Sequence, residues 1–134
     1  MATEGTKEHP WHLKTPPQTS SYEMYKEVKD GREVLVCVVG KTTLLYDYQC
    51  LEDLQAMLRA HADWIELGSV DEQKEPKAGT VVAWGRSFNT PVGGWYGLKK
   101  GLRRRFGMYI PPLMEKLGLA EVTLDAKGNK MQAL

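Results

Sequence analysis

The chain has 134 residues, 42% of them hydrophobic and 26% charged, which is the size and make-up of one globular domain and not of a disordered or fibrous chain. Its 18 Lys and Arg against 17 Asp and Glu leave a formal net charge of +1, so any affinity for nucleic acid has to come from local clustering. No apolar run reaches the ~18–20 residues that cross a bilayer, and MATEGTKEHPWHLKTPP has no apolar signal core; a cytoplasmic protein without a membrane partner is expected.

Residues 1–20 carry Pro10, Pro16 and Pro17 among polar residues, and the missing amide donors predict a flexible arm, with Trp11 and Leu13 docking onto the domain. From Ser21 the pattern alternates, Tyr22, Met24, Lys26 and Val28 against Glu23, Tyr25 and Glu27, which predicts a half-exposed strand. Asp30-Gly31 supplies a tight hairpin turn. Glu33–Val39 is apolar on both faces and reads as a central strand. Gly40-Lys41 turns the chain again, and Thr42–Tyr48 returns as a third strand. Cys37, inside VLVCVV, reads as a small buried hydrophobe, so Cys37 and Cys50 are expected as free thiols.

Gly40-Lys41-Thr42-Thr43 looks like the end of a phosphate-binding loop, but Leu35 stands where that motif needs glycine, and strand-forming residues follow where it needs a helix. Cys50–Leu67 is the clearest helix: Leu51, Leu54, Leu58, His61 and Ile65 recur at three and four, flanked by Met57 and Trp64. Glu52 and Asp53 suit its first turn, and Gly68 its end. The expected fold is therefore α+β, a three-stranded antiparallel meander packed on one long helix over residues 21–68. Ser69–Gly79 is a polar loop leading to a second part of the same domain, residues 77–134.

In that part Thr80–Trp84 reads as a short strand, Gly85–Gly94 as a loop, and Tyr96–Phe106 as a helix closed by Gly107. Pro111-Pro112 fits the first turn of a further short helix that stops at Gly118. Leu119–Leu124, a turn at Ala126–Asn129 and Lys130–Leu134 make a C-terminal hairpin.

The densest chemistry lies in GGWYGLKKGLRRRFGMYIPPLMEKLGL. On a helical wheel Trp95, Leu98, Leu102 and Phe106 fall within about eighty degrees, leaving Tyr96, Lys99, Lys100, Arg103 and Arg104 on an adjoining exposed arc. Such an arc suits phosphate contacts and base stacking. The same residues also suit a merely solvated helix face, paired with acids of the 71–75 loop. Gly97 and Gly101 would cost that helix about 1 kcal/mol each, which close approach of another backbone or a ligand would offset.

WGRSFNTPVGGWYGLKKGLRRRFGMYIPPLMEKLGLAEV is similar to a group of small conserved bacterial proteins of unassigned function, over most of residues 20–134. That resemblance implies a bacterial cytoplasmic origin and carries no catalytic residue. LMEKLGLAEV resembles the step from recognition helix to wing in winged-helix DNA-binding modules, and the order of elements over Tyr96–Leu134 follows theirs. The helix that would enter the major groove, Pro111–Leu117, offers only Lys116 beside Glu115 and no Asn, Gln or Arg. DNA contact would then run through phosphates, with little sequence preference.

Catalytic chemistry has no clear carrier. Cys50 and His61 are about 16 Å apart along one helix; Cys37 with His61 is better read as a core thiol beside a core imidazole. His9 and His12 lack a third ligand, and the carboxylates at 52–53 and 71–75 are helix-start and loop residues. The expected function is thus a non-enzymatic protein without metal or cofactor that holds a polyanion, nucleic acid foremost, on Tyr96, Lys99, Lys100, Arg103 and Arg104. The alternative is a protein-interaction or small-ligand module whose face is the aromatic loop with Trp84, Arg86, Ser87, Asn89 and Trp95. Trp84 and Trp95 are read first as the hydrophobic seam between the two parts of the domain.

Overall fold

The computed structural model describes residues 4–99, 101 and 106–134. The chain opens with four strands, β1 (Trp11–Lys14), β2 (Ser21–Lys29), β3 (Arg32–Val39) and β4 (Thr42–Asp47), lying in that order in one antiparallel sheet. The three-stranded meander thus gains an edge strand from the segment read as an arm. Its register sets Trp11 opposite Met24 and Leu13 opposite Tyr22, and Trp11 and Leu13 are buried as expected while His12 and Lys14 are exposed. The five residues between Pro10 and Pro16 retain their amide donors, and the first four have the alternation a strand needs.

Asp30 and Gly31 both have positive φ, 53° and 77°, the conformation of a two-residue hairpin turn. The apolar run of β3 is central between β2 and β4. Gly40-Lys41 forms a turn between two strands and opens no helix.

Helix α1 spans Cys50–His61 and buries Cys50, Leu51, Leu54 and Leu58. It stops one and a half turns short of the expected end. Ala62 adopts a left-handed φ of 57° with its N–H on Leu58 O, and Ile65–Glu66 then forms strand β5, with Ile65 opposite Met131. Strand pairing wins over a helical pattern that would otherwise continue, so His61 and Trp64, placed on the buried stripe by the pattern, are exposed.

Val81–Trp84 is one turn of helix, α2, and not a strand. Thr80 is its cap: the hydroxyl accepts from Ala83 N at 3.2 Å and satisfies a donor that a helix start leaves open. The helix expected to start at Tyr96 does not start there. Gly97 bridges Tyr46, Asp47 N donates to Tyr96 O at 2.9 Å and Leu98 N to Leu45 O at 2.8 Å. Residues 96–98 therefore run extended along the open edge of β4, and satisfying that edge outweighs the helical pattern of a glycine-rich segment. Residues 100 and 102–105 lie outside the described residues.

Helix α3 covers Phe106–Lys116, with Pro111 and Pro112 in its interior. An interior proline costs roughly 3 kcal/mol in an exposed helix. Here both proline rings are buried along with Phe106, Tyr109, Ile110, Leu113 and Met114, and that apolar contact offsets the lost donors. Gly107 permits close packing: a Cβ there would sit 2.5 Å from Leu67 O and 2.7 Å from Val82 Cγ2.

Strands β6 (Ala120–Val122) and β7 (Lys130–Ala133) form the expected C-terminal hairpin, but β5 joins it to make a three-stranded sheet in the order β5-β7-β6. The winged-helix arrangement is not matched, since the first helix it needs is extended through residues 96–98 and the hairpin pairs with a strand from residues 65–66. The main core lies under the inner face of the large sheet, where Met24, Leu35, Leu44, Leu54, Leu58, Ile110, Leu113 and Met131 are sealed from solvent. A second, smaller apolar cluster, Val34, Val36 and Leu45 with Tyr25, Val38 and Leu98, occupies the opposite face of that sheet. No described helix is long and apolar enough to cross a membrane.

Candidate nucleic-acid interface

The residues singled out from the sequence fall into different environments. Tyr96 is fully buried, stacked on Trp84 at 5.2 Å and on Phe106 at 5.7 Å between ring centroids. Its hydroxyl donates to Asp53 Oδ2 at 2.8 Å, and burial first, then that hydrogen bond, pushes its pKa up. It offers no free ring face to a base, contrary to the expectation that it shares an exposed arc with the cations. Lys99 is exposed. Lys100, Arg103 and Arg104 lie outside the described residues.

Lys99 does not stand alone. The β2–β3 turn brings Lys29 and Arg32 to the same groove, of about 450 Å³, whose floor is Val34, Leu45 and Leu98 and whose rim includes Asp30. Two hydrogen-bonded links make this juxtaposition: the hairpin register pairs Lys29 with Arg32, and Leu98 N on Leu45 O fixes Lys99 beside β4. Arg32 is also 4.0 Å from Asp47 through Nε, with its side chain 60% exposed, so the pair holds it only weakly. On the far side of Arg32 an open groove of about 690 Å³ carries Glu33, Asp47 and Glu52 and would repel an anion. Lys29 and Arg32 flank the visible turn pair Asp30-Gly31, but nothing in their spacing points to Lys99.

The acidic loop approaches the basic segment as well. Gly101 N donates to Glu72 Oε2 at 2.8 Å, so part of that loop's charge is directed at the segment bearing the cations.

The aromatic loop is built for packing. Arg86 donates to the carbonyls of Lys74 at 2.9 Å and of Glu72 and Asp71 at 3.3 Å, and its guanidinium lies 4.4 Å over the Trp95 ring. Burial pulls its pKa down while Glu75, Glu72 and Asp71 oppose that. The buried Thr90 hydroxyl has Ser87 O and Gly94 O, each at 3.1 Å, as alternative acceptors for its one proton and accepts from Gly94 N, and Ser87 Oγ accepts from Asn89 N at 3.1 Å. Trp84 packs against the core. The cavity among Tyr46, Val82, Gly85, Arg86 and Trp95 measures about 10 Å³, about one water molecule. What the loop leaves outside is Phe88, 85% exposed, beside the exposed Asn89.

Neither thiol is poised as a nucleophile. Cys37 and Cys50 are free and buried, and burial drives both pKa values up, while His61 is exposed and so is no core imidazole. Among the described residues no group of three or more His, Cys, Asp or Glu could hold a metal ion.

Neither a curated protein nor a solved structure matches the chain. One family, described as "Family of unknown function (DUF6855)", matches residues 3–134, nearly the whole chain and both sheets with it. The chain therefore belongs to that family of unknown function.

Proposed function

We propose that this chain is a non-enzymatic binding protein that holds a polyanion, nucleic acid foremost, by phosphate contacts in the groove beside the β2–β3 turn. The observation that carries the reading is the convergence of Lys29, Arg32 and Lys99 on one concave surface. Lys100, Arg103 and Arg104 follow Lys99 within five positions of the chain and extend the same positive stretch. Such a cluster supplies local charge that a net +1 does not, and phosphate contacts of this kind carry little sequence preference. The bacterial cytoplasmic setting implied by the sequence resemblance belongs to this reading.

Its test is charge reversal in an electrophoretic shift assay at low salt. Lys29→Glu with Arg32→Glu, and separately Lys100→Glu with Arg104→Glu, should each weaken DNA and RNA binding by at least about tenfold and flatten the salt dependence. Binding unchanged by both pairs overturns the reading.

A second reading, protein interaction through the aromatic loop, is favoured by Phe88. A ring left 85% exposed on a loop fixed by Thr90 has the character of a rigid anchor for a partner's pocket. The small-ligand form of that reading has less support, because Arg86 is engaged and the cavity there is about 10 Å³. A photo-crosslinker at Asn89 that captures one defined protein, with capture lost in Phe88→Ser, would support the interaction; capture insensitive to that change would count against it.

A further inference from the structure

The outer face of the large sheet carries one unbroken apolar row. Tyr25 lies opposite Val36, Val36 opposite Leu45, and the Leu98 N–H on Leu45 O continues the row onto the segment that bears Lys99. Val36 and Leu45 are buried within it, whereas Tyr25 and Leu98 at its two ends are half-buried and keep surface open to solvent. Among the described residues Tyr25 is paired with no other ring, unlike Trp84, Tyr96 and Phe106, which are in mutual ring contact. The cationic groove opens onto the same face, with Val34 and Leu45 as shared floor.

We infer that the groove and this face together take single-stranded nucleic acid in preference to a duplex, one nucleotide seated with its phosphate among Lys29, Arg32 and Lys99 and a neighbouring base stacked on Tyr25. The inference rests on the polyanion reading and adds to it what lies beyond the phosphates. A concavity of about 450 Å³ matches a single small-ligand unit, and cations beside an aromatic platform are the pairing that holds unpaired strands, because every base has a stackable face.

A duplex fits less well. β4 pairs with β3 as far as Val34 opposite Asp47, so the hairpin projects beyond the sheet by only the Glu33–Val28 and Arg32–Lys29 pairs. A projection that short keeps the acidic side chains at its base close to any duplex the turn meets. Asp30 in the turn and Glu27, opposite Val34 at the base of the projection, would face the phosphates that a duplex presents on both flanks. Glu23 and Glu27 bracket Tyr25 on its own face of β2 and keep backbone phosphates away from the ring, leaving it to the base.

Fluorescence anisotropy on the intact protein separates the possibilities, using a labelled single strand of mixed sequence, its duplex, and inorganic polyphosphate as competitor. The wild type is expected to bind the single strand about tenfold more tightly than the duplex, a factor of the size one stacked base supplies. Tyr25→Ala should lose that preference while competition by polyphosphate is unchanged, and Tyr25→Phe should keep it, which excludes a folding defect. Equal affinity for strand and duplex, or Tyr25→Ala without effect, overturns the inference; if Lys29→Glu with Arg32→Glu still weakens all three ligands, the polyanion reading stands without it. Binding indifferent to that charge reversal removes the inference, and indifference to Lys100→Glu with Arg104→Glu as well removes both.

Discussion

The Tyr96 hydroxyl donates to Asp53 Oδ2 at 2.8 Å across 43 residues of chain, joining the first turn of α1 to the segment that covers the edge of β4. This contact turns a tyrosine that sequence spacing set beside the cations into a buried strut. Tyr96→Phe keeps the ring against Trp84 and Phe106 but removes the donor. It should destabilise the fold by about 1–2 kcal/mol in urea unfolding, with Tyr96→Ala costing about 3–5 kcal/mol. A Phe variant as stable as wild type would show that the hydrogen bond contributes nothing net.

Arg86 should hold the polar loop in place. Three carbonyls of residues 71–74 accept from its guanidinium, so Arg86→Ala should cost about 2 kcal/mol and open Lys74 and Lys77 to trypsin. Limited proteolysis checks this. Arg86→Lys should recover only part of the protection, since an ammonium cannot reach three acceptors from one planar fork. Cleavage at wild-type rate in the Ala variant would place the loop's stability elsewhere.

Gly107→Ala should destabilise although alanine favours helices by about 1 kcal/mol over glycine. The added Cβ would meet Leu67 O at 2.5 Å, backbone that cannot move without disturbing β5, and crowding of this kind costs typically 1–3 kcal/mol. A thermal melt decides which effect wins. A rise in Tm would contradict the close approach of α3 to residues 67–68.

Stability should fall on the alkaline side. Burial raises the pKa of Tyr22, Tyr46, Cys37 and Cys50 in the folded chain, whereas unfolded thiols and phenols ionise at about 8.5 and about 10. Above those values the folded state holds more protons than the unfolded one, so its advantage is complete at lower pH and declines as pH rises. Urea unfolding should give constant stability from neutrality to about pH 8 and a drop of up to about 1.4 kcal/mol per pH unit per group above it. A flat profile to pH 11 would mean these groups ionise alike in both states.

The same burial predicts that Ellman's reagent titrates neither thiol in the native protein and both of the 2 cysteines in denaturant. Rapid modification of native Cys37 or Cys50 would show that the sheet and α1 open readily around them.

What the sequence determined by itself was local. Alternation from Ser21 to Val28, the continuous apolar run of Glu33–Val39, the turn pair Asp30-Gly31, the leucine spacing of α1 and the C-terminal hairpin all followed from contacts between near neighbours. The candidate interface was legible only in part: Lys99 was visible as a cation, but its partners Lys29 and Arg32 come from a turn about seventy residues earlier. Only tertiary structure decided the status of Tyr96, the end of α1 at His61 and the extended path of residues 96–98, because each is fixed by a hydrogen-bonding edge supplied from elsewhere in the chain. An open strand edge must be satisfied, and it draws in whichever segment reaches it, whatever period that segment's own residues suggest.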